Sequence, residues 1–304
     1  MDPIELIKEG RIKRYFRATR KLNVPGLVCH ITQRAAGKEP LFLERSDYLA
    51  MIWLLKEASR KHSLQIYAFC LMPNHIHLLL SFSEGSLYDA MRDLFAQYAM
   101  KFNKKYERKG HLFGGPYRQA VCLDNGYLVA ASLYIHLNPV KAGLSENPYK
   151  YRWSSCRLYG RSSEHKTFVD PGLVLGLLSG EAFQSRQRYQ ELVLRGSEVE
   201  MRPVSEEKKA VESFLFLLGQ KVPHLWSWFR DRRAAGNLKA PVLDETESWE
   251  DKINDLKCEG LSRNPVNRAA LKHAIEQLIA RGYTREEIAQ RVGLSRKTVY
   301  NLLR

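Results

Sequence analysis

The stretch CLMPNHIHLLL, residues 70 to 80, sets two histidines one residue apart inside an apolar run. In a strand, alternate side chains share a face, so His75 and His77 would present two imidazoles side by side. Neutral imidazole is a common metal ligand, but an alternating pair can also sit satisfied on a half-buried strand. The spacing alone leaves both readings open. Chemistry needs more groups, and NGYLVAASLYIHLN (125–138) offers them. Tyr134 and Asn138 are four apart, hence neighbours on one helical face. A phenol, an amide oxygen and two imidazoles can surround one divalent cation and leave positions for phosphate oxygens. Tyr127, seven before Tyr134, shares that face and is the second choice as nucleophile, with packing at the helix start as its plainer role. His136 points off that face and is read as no ligand. His30, on an earlier strand, can line the same sheet face without an assigned role.

Those residues need a frame to hold them. PGLVCHITQR (25–34) reads as a first strand bounded by Pro25 and Gly26. SDYLAMIWLLKEASRK (46–61) has helical spacing, with Ser46 or Asp47 as cap. LQIYAFCLM (64–72) and HIHLLLSF (75–82) are strands joined by a turn at Pro73-Asn74. In 86–106 the stripe Leu87, Met91, Leu94, Phe95, Tyr98, Phe102 predicts a long helix, and Ser86 with Asp89 makes a capping-box-like start. YRQAVCL (117–123) follows as a strand, then the helix 125–138, which Pro139 should end. The order β-α-β-β-α-β predicts an α+β fold, a ferredoxin-like antiparallel sheet with helices on one face.

The C-terminal stretch has its own pattern. NRAALKHAIEQLIARG (267–282) is amphipathic, and TREEIAQRV (284–292) opens with Thr284 and Glu287 in capping-box spacing. Gly293 and Leu294 make a turn before SRKTVYNLLR (295–304). Ile288, Val292, Leu294, Val299 and Leu302 have the apolar character to pack these helices together. Arg296, Lys297 and Asn301 fall on the last one, so the segment reads as an all-α helix-turn-helix, with a plain three-helix bundle as the alternative. The divisions expected are 1–155, a mostly helical 156–265, and 266–304. No repeat and no low-complexity segment is visible.

Charge narrows the partners. Across 304 residues, 48 Lys and Arg face 33 Asp and Glu, a net charge of +15. Such an excess suits a polyanion. RIKRYFRATRK (11–21) carries basic residues, Arg14 and Arg17 among them, beside Tyr15 and Phe16, and KFNKKYERKGHLF (101–113) repeats the mixture. Cations neutralise phosphates and aromatics stack on bases, which favours nucleic acid over an acidic protein. Tyr117 and Arg118 in PYRQ can contact DNA, although a strand-borne tyrosine is as often core. Five cysteines without a CxxC pairing, no apolar run of membrane-spanning length and no apolar leader predict a reducing cytoplasm.

With these motifs in place, CLMPNHIHLLL, GHLFGGPYRQ and YIHLNPVKAGL together resemble the single-tyrosine HUH transposases, in particular the REP-associated tyrosine transposase branch. The likeness covers about residues 10 to 155. It implies an HUH domain in which His75 and His77 are metal ligands, Tyr134 is the nucleophile, and Asn138 completes the metal site where the insertion-sequence branch usually has Gln. It also implies Mg2+ or Mn2+ as cofactor and a folded DNA hairpin held by the basic, aromatic surface at 11–21 and 101–118. The expected activity is metal-dependent cleavage and strand transfer of single-stranded hairpin DNA through a 5′-phosphotyrosine. The C-terminal helices, outside this likeness, would target duplex DNA. Two other readings stand: a non-mobile nuclease processing palindromic repeats, and a DNA-binding regulator whose catalytic centre is unused.

Overall fold

The computed structural model describes residues 15–16, 21, 23, 25–37, 39–122, 125–161, 167–201, 210–222, 271, 275, 284–291 and 293–302. In chain order the first elements are β1 (Tyr15–Phe16), β2 (Cys29–Arg34), α1 (Arg45–Lys61), β3 (Leu64–Met72), β4 (His75–Phe82), α2 (Leu87–Lys105), β5 (Arg118–Val121) and α3 (Asn125–Lys141). The strands lie in the order β1-β5-β2-β4-β3, every neighbouring pair antiparallel. Leaving β1 aside, this is the βαββαβ arrangement expected from the sequence. The two-residue β1, which pairs with β5 at the sheet edge, was not expected.

Alternation along the strands splits the residues between two cores. Ile31, Ile76, Leu78 and Leu80 join Leu54, Leu55, Leu94 and Phe95 of α1 and α2 on one face. Val28, Ala68, Cys70 and Leu79 join α3 on the other. α1 and α2, the two helices of the βαββαβ arrangement, share one face as expected, and α3, the helix that follows it, covers the second. The reason is visible in its composition: residues 127–137 are all buried, and a helix apolar all round must be covered on all sides. α4 (Cys156–Gly160), α5 (Gly172–Gly176), α6 (Ala182–Ser197) and α7 (Ala210–Lys221) follow, and Leu192, Val193, Phe214 and Leu218 complete that second core. Gly196 permits the close approach of α6, since a Cβ there would stand 2.7 Å from Leu137.

Two helix ends differ from the sequence reading. Glu44, rather than Ser46 or Asp47, is the N-cap of α1. Asp47 sits inside the first turn, where its carboxylate accepts from the backbone N–H of Leu43 (2.9 Å) and Glu44 (3.0 Å). It also pairs with Lys105 at 2.7 Å and accepts from the Tyr106 hydroxyl, tying the start of α1 to the end of α2. α3 does not stop at Asn138 but runs through Pro139 to Lys141. The Ala142 N–H returns to the Asn138 carbonyl at 2.9 Å, so the ladder resumes one turn past the proline. The Ser86 cap stands as expected, accepting from the Asp89 N–H.

Farther along, α8 (Arg285–Arg291) and α9 (Arg296–Leu302) are joined by a turn in which Gly293 has φ +60°, a left-handed conformation that suits glycine. Thr284 and Glu287 cap each other reciprocally, and Ser295 caps α9. Ile288 and Val299 are buried. Most of the expected helix 267–282, the 223–265 stretch and Val292 lie outside the described residues. No helix among the described residues is long and apolar enough to cross a membrane.

His136 shows what α3 does for stability. Its Nδ1 lies 2.7 Å from the Tyr189 hydroxyl of α6 and its Nε2 2.8 Å from Ser155 Oγ, which also bonds the Phe69 backbone of β3. Burial holds its pKa down to about 3 from an ordinary 6.5. Below pH 6.5 the unfolded chain takes up a proton that the folded chain refuses, so this contribution to stability is complete above that pH and is lost as pH falls toward 3. The expected result is a urea midpoint lower at pH 5 than at pH 7, with His136→Gln removing up to about 1.4 kcal/mol per pH unit from the slope. Equal slopes for the two proteins would show that this histidine does not carry the effect.

Candidate active site

The β2–β4 register places Thr32 opposite His77 and Arg34 opposite His75, while β5 sets Arg118 on the far side of Thr32. Directly opposed residues share a face. His30, Thr32, Arg34, His75, His77 and Arg118 therefore line the sheet surface that faces α3. The His75 and His77 rings are 4.9 Å apart, and Tyr134 reaches down from α3 to 6.0 Å from His77 and 6.2 Å from His30.

Each ring of the pair has one nitrogen engaged. His75 Nδ1 is 2.7 Å from Asn74 Oδ1, an oxygen that can only accept, so Nδ1 carries the proton and Nε2 keeps its lone pair. His77 Nδ1 is 2.9 Å from His30 Nε2 and 3.3 Å from Thr32 Oγ1. An N–H on His77 Nδ1 donated to either neighbour leaves its Nε2 as the free base. This is how a ligating histidine is ordinarily oriented: one nitrogen tied back, the other presented to the ion. Burial keeps the rings neutral, His30 at about 4 and His75 at about 4, the latter helped by the Arg34 charge. Burial pushes His77 well down, with the fields of His75, His30 and Arg34 adding to it.

Asn138 turns its amide N–H to the Tyr134 carbonyl at 2.7 Å. That bond fixes which end of the amide is the donor and leaves the oxygen as the group able to meet a cation. Among the described residues, no group of three or more His, Cys, Asp or Glu side chains is disposed to hold a metal. The expected donor set is of another kind, two imidazole nitrogens and an amide oxygen. Such nitrogen and oxygen donors suit Mn2+, and Mg2+ when phosphate oxygens or water fill the rest of the sphere.

The structure thus brings His75, His77 and Tyr134 together, with Asn138 one turn beyond Tyr134 and Arg118 on the same sheet face. Tyr127 is buried in the second core and His136 is committed to Tyr189 and Ser155. Arg14 and Arg17 lie outside the described residues. Arg296, Lys297 and Asn301 are exposed on α9, where Arg296 faces Glu286 at 3.4 Å. Sequence reasoning passed over Thr32 and Arg34 and gave His30 no role. The signal was there: in CHITQR, polar residues at 30, 32 and 34 recur with period two, with apolar Cys29 and Ile31 on the alternate face.

Residues 23–138 match the model of the family described as "Transposase IS200 like". The matched span takes in the histidine pair and ends at Asn138. No curated protein matches the chain. Among solved structures, one of a REP-associated tyrosine transposase bound to a REP hairpin is similar at 16% identity and a TM-score of 0.42, over 51% of this chain and 94% of that one.

Tyr134 itself has no solvent exposure, and the Phe214 ring of α7 stands edge-on to it at 6.2 Å. A phosphate can reach the phenol only if its cover opens, and the Phe214 contact is part of that cover. Phe214→Ala should therefore raise the rate at which tetranitromethane nitrates Tyr134, mapped by peptide mass spectrometry, relative to exposed Tyr88 as internal standard. A Tyr134 that already nitrates as fast as Tyr88 in the unaltered protein would mean the cover is not there in solution. The substitution costs roughly 3–5 kcal/mol, so circular dichroism must first show a folded variant.

Proposed function

We propose that this protein is a metal-dependent single-stranded DNA endonuclease and strand transferase of the single-tyrosine HUH type, acting on hairpin DNA. The observation that carries the reading is a phenol 6.0 Å from the neutral His77 imidazole, with the His75 ring 4.9 Å from His77, inside a span that matches the IS200-like transposase model. His75 and His77, with Asn138, would hold Mg2+ or Mn2+. When bound, such an ion polarises the phosphate and steadies the departing oxygen. Tyr134 supplies the nucleophile: its oxygen bonds to phosphorus while the bond to the 3′ oxygen breaks, leaving a 5′-phosphotyrosine and a free 3′-OH. A phenol is a weak nucleophile near neutral pH, so alignment matters, and α3 provides it. Arg34 and Arg118, on the same face, would take up phosphate charge. Retaining the phosphodiester energy in the tyrosine bond lets a later end be joined without ATP.

A second reading, a DNA-binding regulator with an unused centre, is favoured by one fact: Tyr134 is fully buried under Phe214. The readings part in a single experiment. With Mn2+ and a labelled hairpin flanked by single strands, the full chain should form a covalent adduct at Tyr134. Tyr134→Phe should bind as well and form none, and His77→Ala should lose both the adduct and measurable Mn2+ binding. An adduct mapped to Tyr127 would move the nucleophile; tight hairpin binding without adduct under any divalent ion would favour the regulator.

The division into 1–155, 156–265 and 266–304 belongs to the proposal, as does duplex binding through a C-terminal helix-turn-helix. Helices α8 and α9, the glycine turn and the exposed Arg296, Lys297 and Asn301 support it. Removing two phosphate-contacting cations together, Arg296→Ala with Lys297→Ala, should make the logarithmic salt dependence of duplex binding shallower by about 2. An unchanged slope would reduce the segment to a bundle with a basic face.

A further inference from the structure

The two histidines of the site are tied back by different groups. His75 Nδ1 meets Asn74 Oδ1 at 2.7 Å, an oxygen with no proton to give. His77 Nδ1 meets a second imidazole: His30 Nε2 is 2.9 Å away, closer than the Thr32 hydroxyl at 3.3 Å. β2 pairs Thr32 with His77 and His30 with Leu79, so His30 lies diagonally across from His77 on the α3 face, a separation that rings can span. On its other side His30 pairs with Ala120 of β5, whose methyl group leaves room for the ring. The His30 and His77 rings stand 5.2 Å apart with 31° between their planes. A neutral imidazole carries one N–H and one bare nitrogen, so their contact has two arrangements. In the first, His77 Nδ1–H donates to His30 Nε2, His30 keeps its own proton on Nδ1, and His77 Nε2 is bare. In the second, His30 Nε2–H donates to His77 Nδ1, and the His77 proton sits on Nε2, where it blocks a cation. Each arrangement holds two protons, so net charge favours neither.

We propose that His30 is a positioning residue of the metal site: it accepts the His77 Nδ1 proton and so keeps His77 Nε2 bare and aimed at a divalent cation. The inference rests on the metal-centre reading above and adds to it a residue that acts only through His77. An acceptor behind a ligating histidine fixes the ring and raises the basicity of the nitrogen in front. Cation binding selects the first arrangement, because the second leaves no lone pair to bind with. His30 is 2% exposed and His77 1%, so bulk water does not take over the bond. A carboxylate in place of His30 would also accept this proton. It would set a negative charge under the phosphate the site is to receive, whereas a neutral ring orients His77 without that repulsion. Thr32 is the weaker acceptor by distance and serves as the reserve. His30 also stands 6.2 Å from the Tyr134 ring, so its role is separable from the phenol's only by following the cation rather than cleavage.

The test uses the full chain without DNA and follows Mn2+ uptake by electron paramagnetic resonance. His30→Leu, apolar and close in bulk, should weaken Mn2+ binding roughly tenfold, and adding Thr32→Val should deepen the loss toward about a hundredfold. His30→Gln, whose Oε1 can stand where Nε2 stood, should recover most of the affinity. A histidine that merely filled space would give the reverse order, since a buried leucine needs no partner and a buried amide does. Leu binding Mn2+ as well as or better than Gln therefore overturns the inference. The unaltered chain gives a second readout that depends on no variant folding. With 15N-labelled histidine and saturating Mg2+, long-range proton–nitrogen spectra should place the His77 proton on Nδ1 and none on Nε2; a proton on Nε2 sinks the proposal. Uptake that depends on His77 but not on His30 would remove this inference alone. Mn2+ uptake unchanged in His77→Ala, or none by the unaltered chain, would remove the metal-centre reading and this inference with it.

Discussion

His30 Nε2 lies 2.9 Å from His77 Nδ1 because β2 and β4 are locked in one register, and that register is set on the other side of the sheet. Ile31, Ile76, Leu78 and Leu80 pack against α1 and α2 with no solvent exposure. A slip of β4 by one residue would send Ile76, Leu78 and Leu80 to the α3 face and turn His75 and His77 into the aliphatic core against α1 and α2. Burying two imidazoles there without hydrogen-bond partners is costly. The apolar face therefore fixes the polar one, and the polar residues need contribute little to folding to be placed accurately.

The same burial has two chemical consequences that pull in different directions. It keeps three imidazoles neutral, each retaining the lone pair that a cation requires. It also closes the phenol off beneath Phe214. α3 is the element under both demands, apolar on every side so that it can lie between the sheet and the helices α6 and α7. Asn138 shows how its end is managed. Its side chain bonds the Tyr134 carbonyl just before Pro139, which lacks the N–H that an uninterrupted helix would have used one step later.

What the sequence disclosed follows from the range of the interactions involved. Strands β2 to β5 and helices α1 to α3 were legible because period-two and period-3.6 patterns are local, and the Ser86 cap is a contact between near neighbours. Histidines two apart announce a shared strand face by their spacing alone. His30, Thr32 and Arg34 join the site only through cross-strand pairing between residues more than forty apart in sequence, which no local pattern encodes. Glu44 took the cap because Asp47 is held by Lys105 and Tyr106 from the far end of α2. Part of the cover over Tyr134 comes from Phe214, eighty residues on, in a stretch whose own pattern says only that it is helical.

That cover also bears on how DNA would engage the protein. Phe214 is 1% exposed, and parting it from Tyr134 removes a packed aromatic side chain from its seat. If that opening costs about 3 kcal/mol, near the lower end for losing a buried aromatic contact, roughly one molecule in 150 stands open. A strand that needs the open form then binds weaker by the same factor than the site would intrinsically allow. Contacts that do not require the phenol are unaffected, since cationic side chains such as Arg92 and Lys297 stand exposed in the closed state. Binding through phosphates can thus precede access to Tyr134. Only a ligand with further contacts in the open form shifts the balance, so discrimination among DNA structures would lie in the opening step rather than in the first encounter.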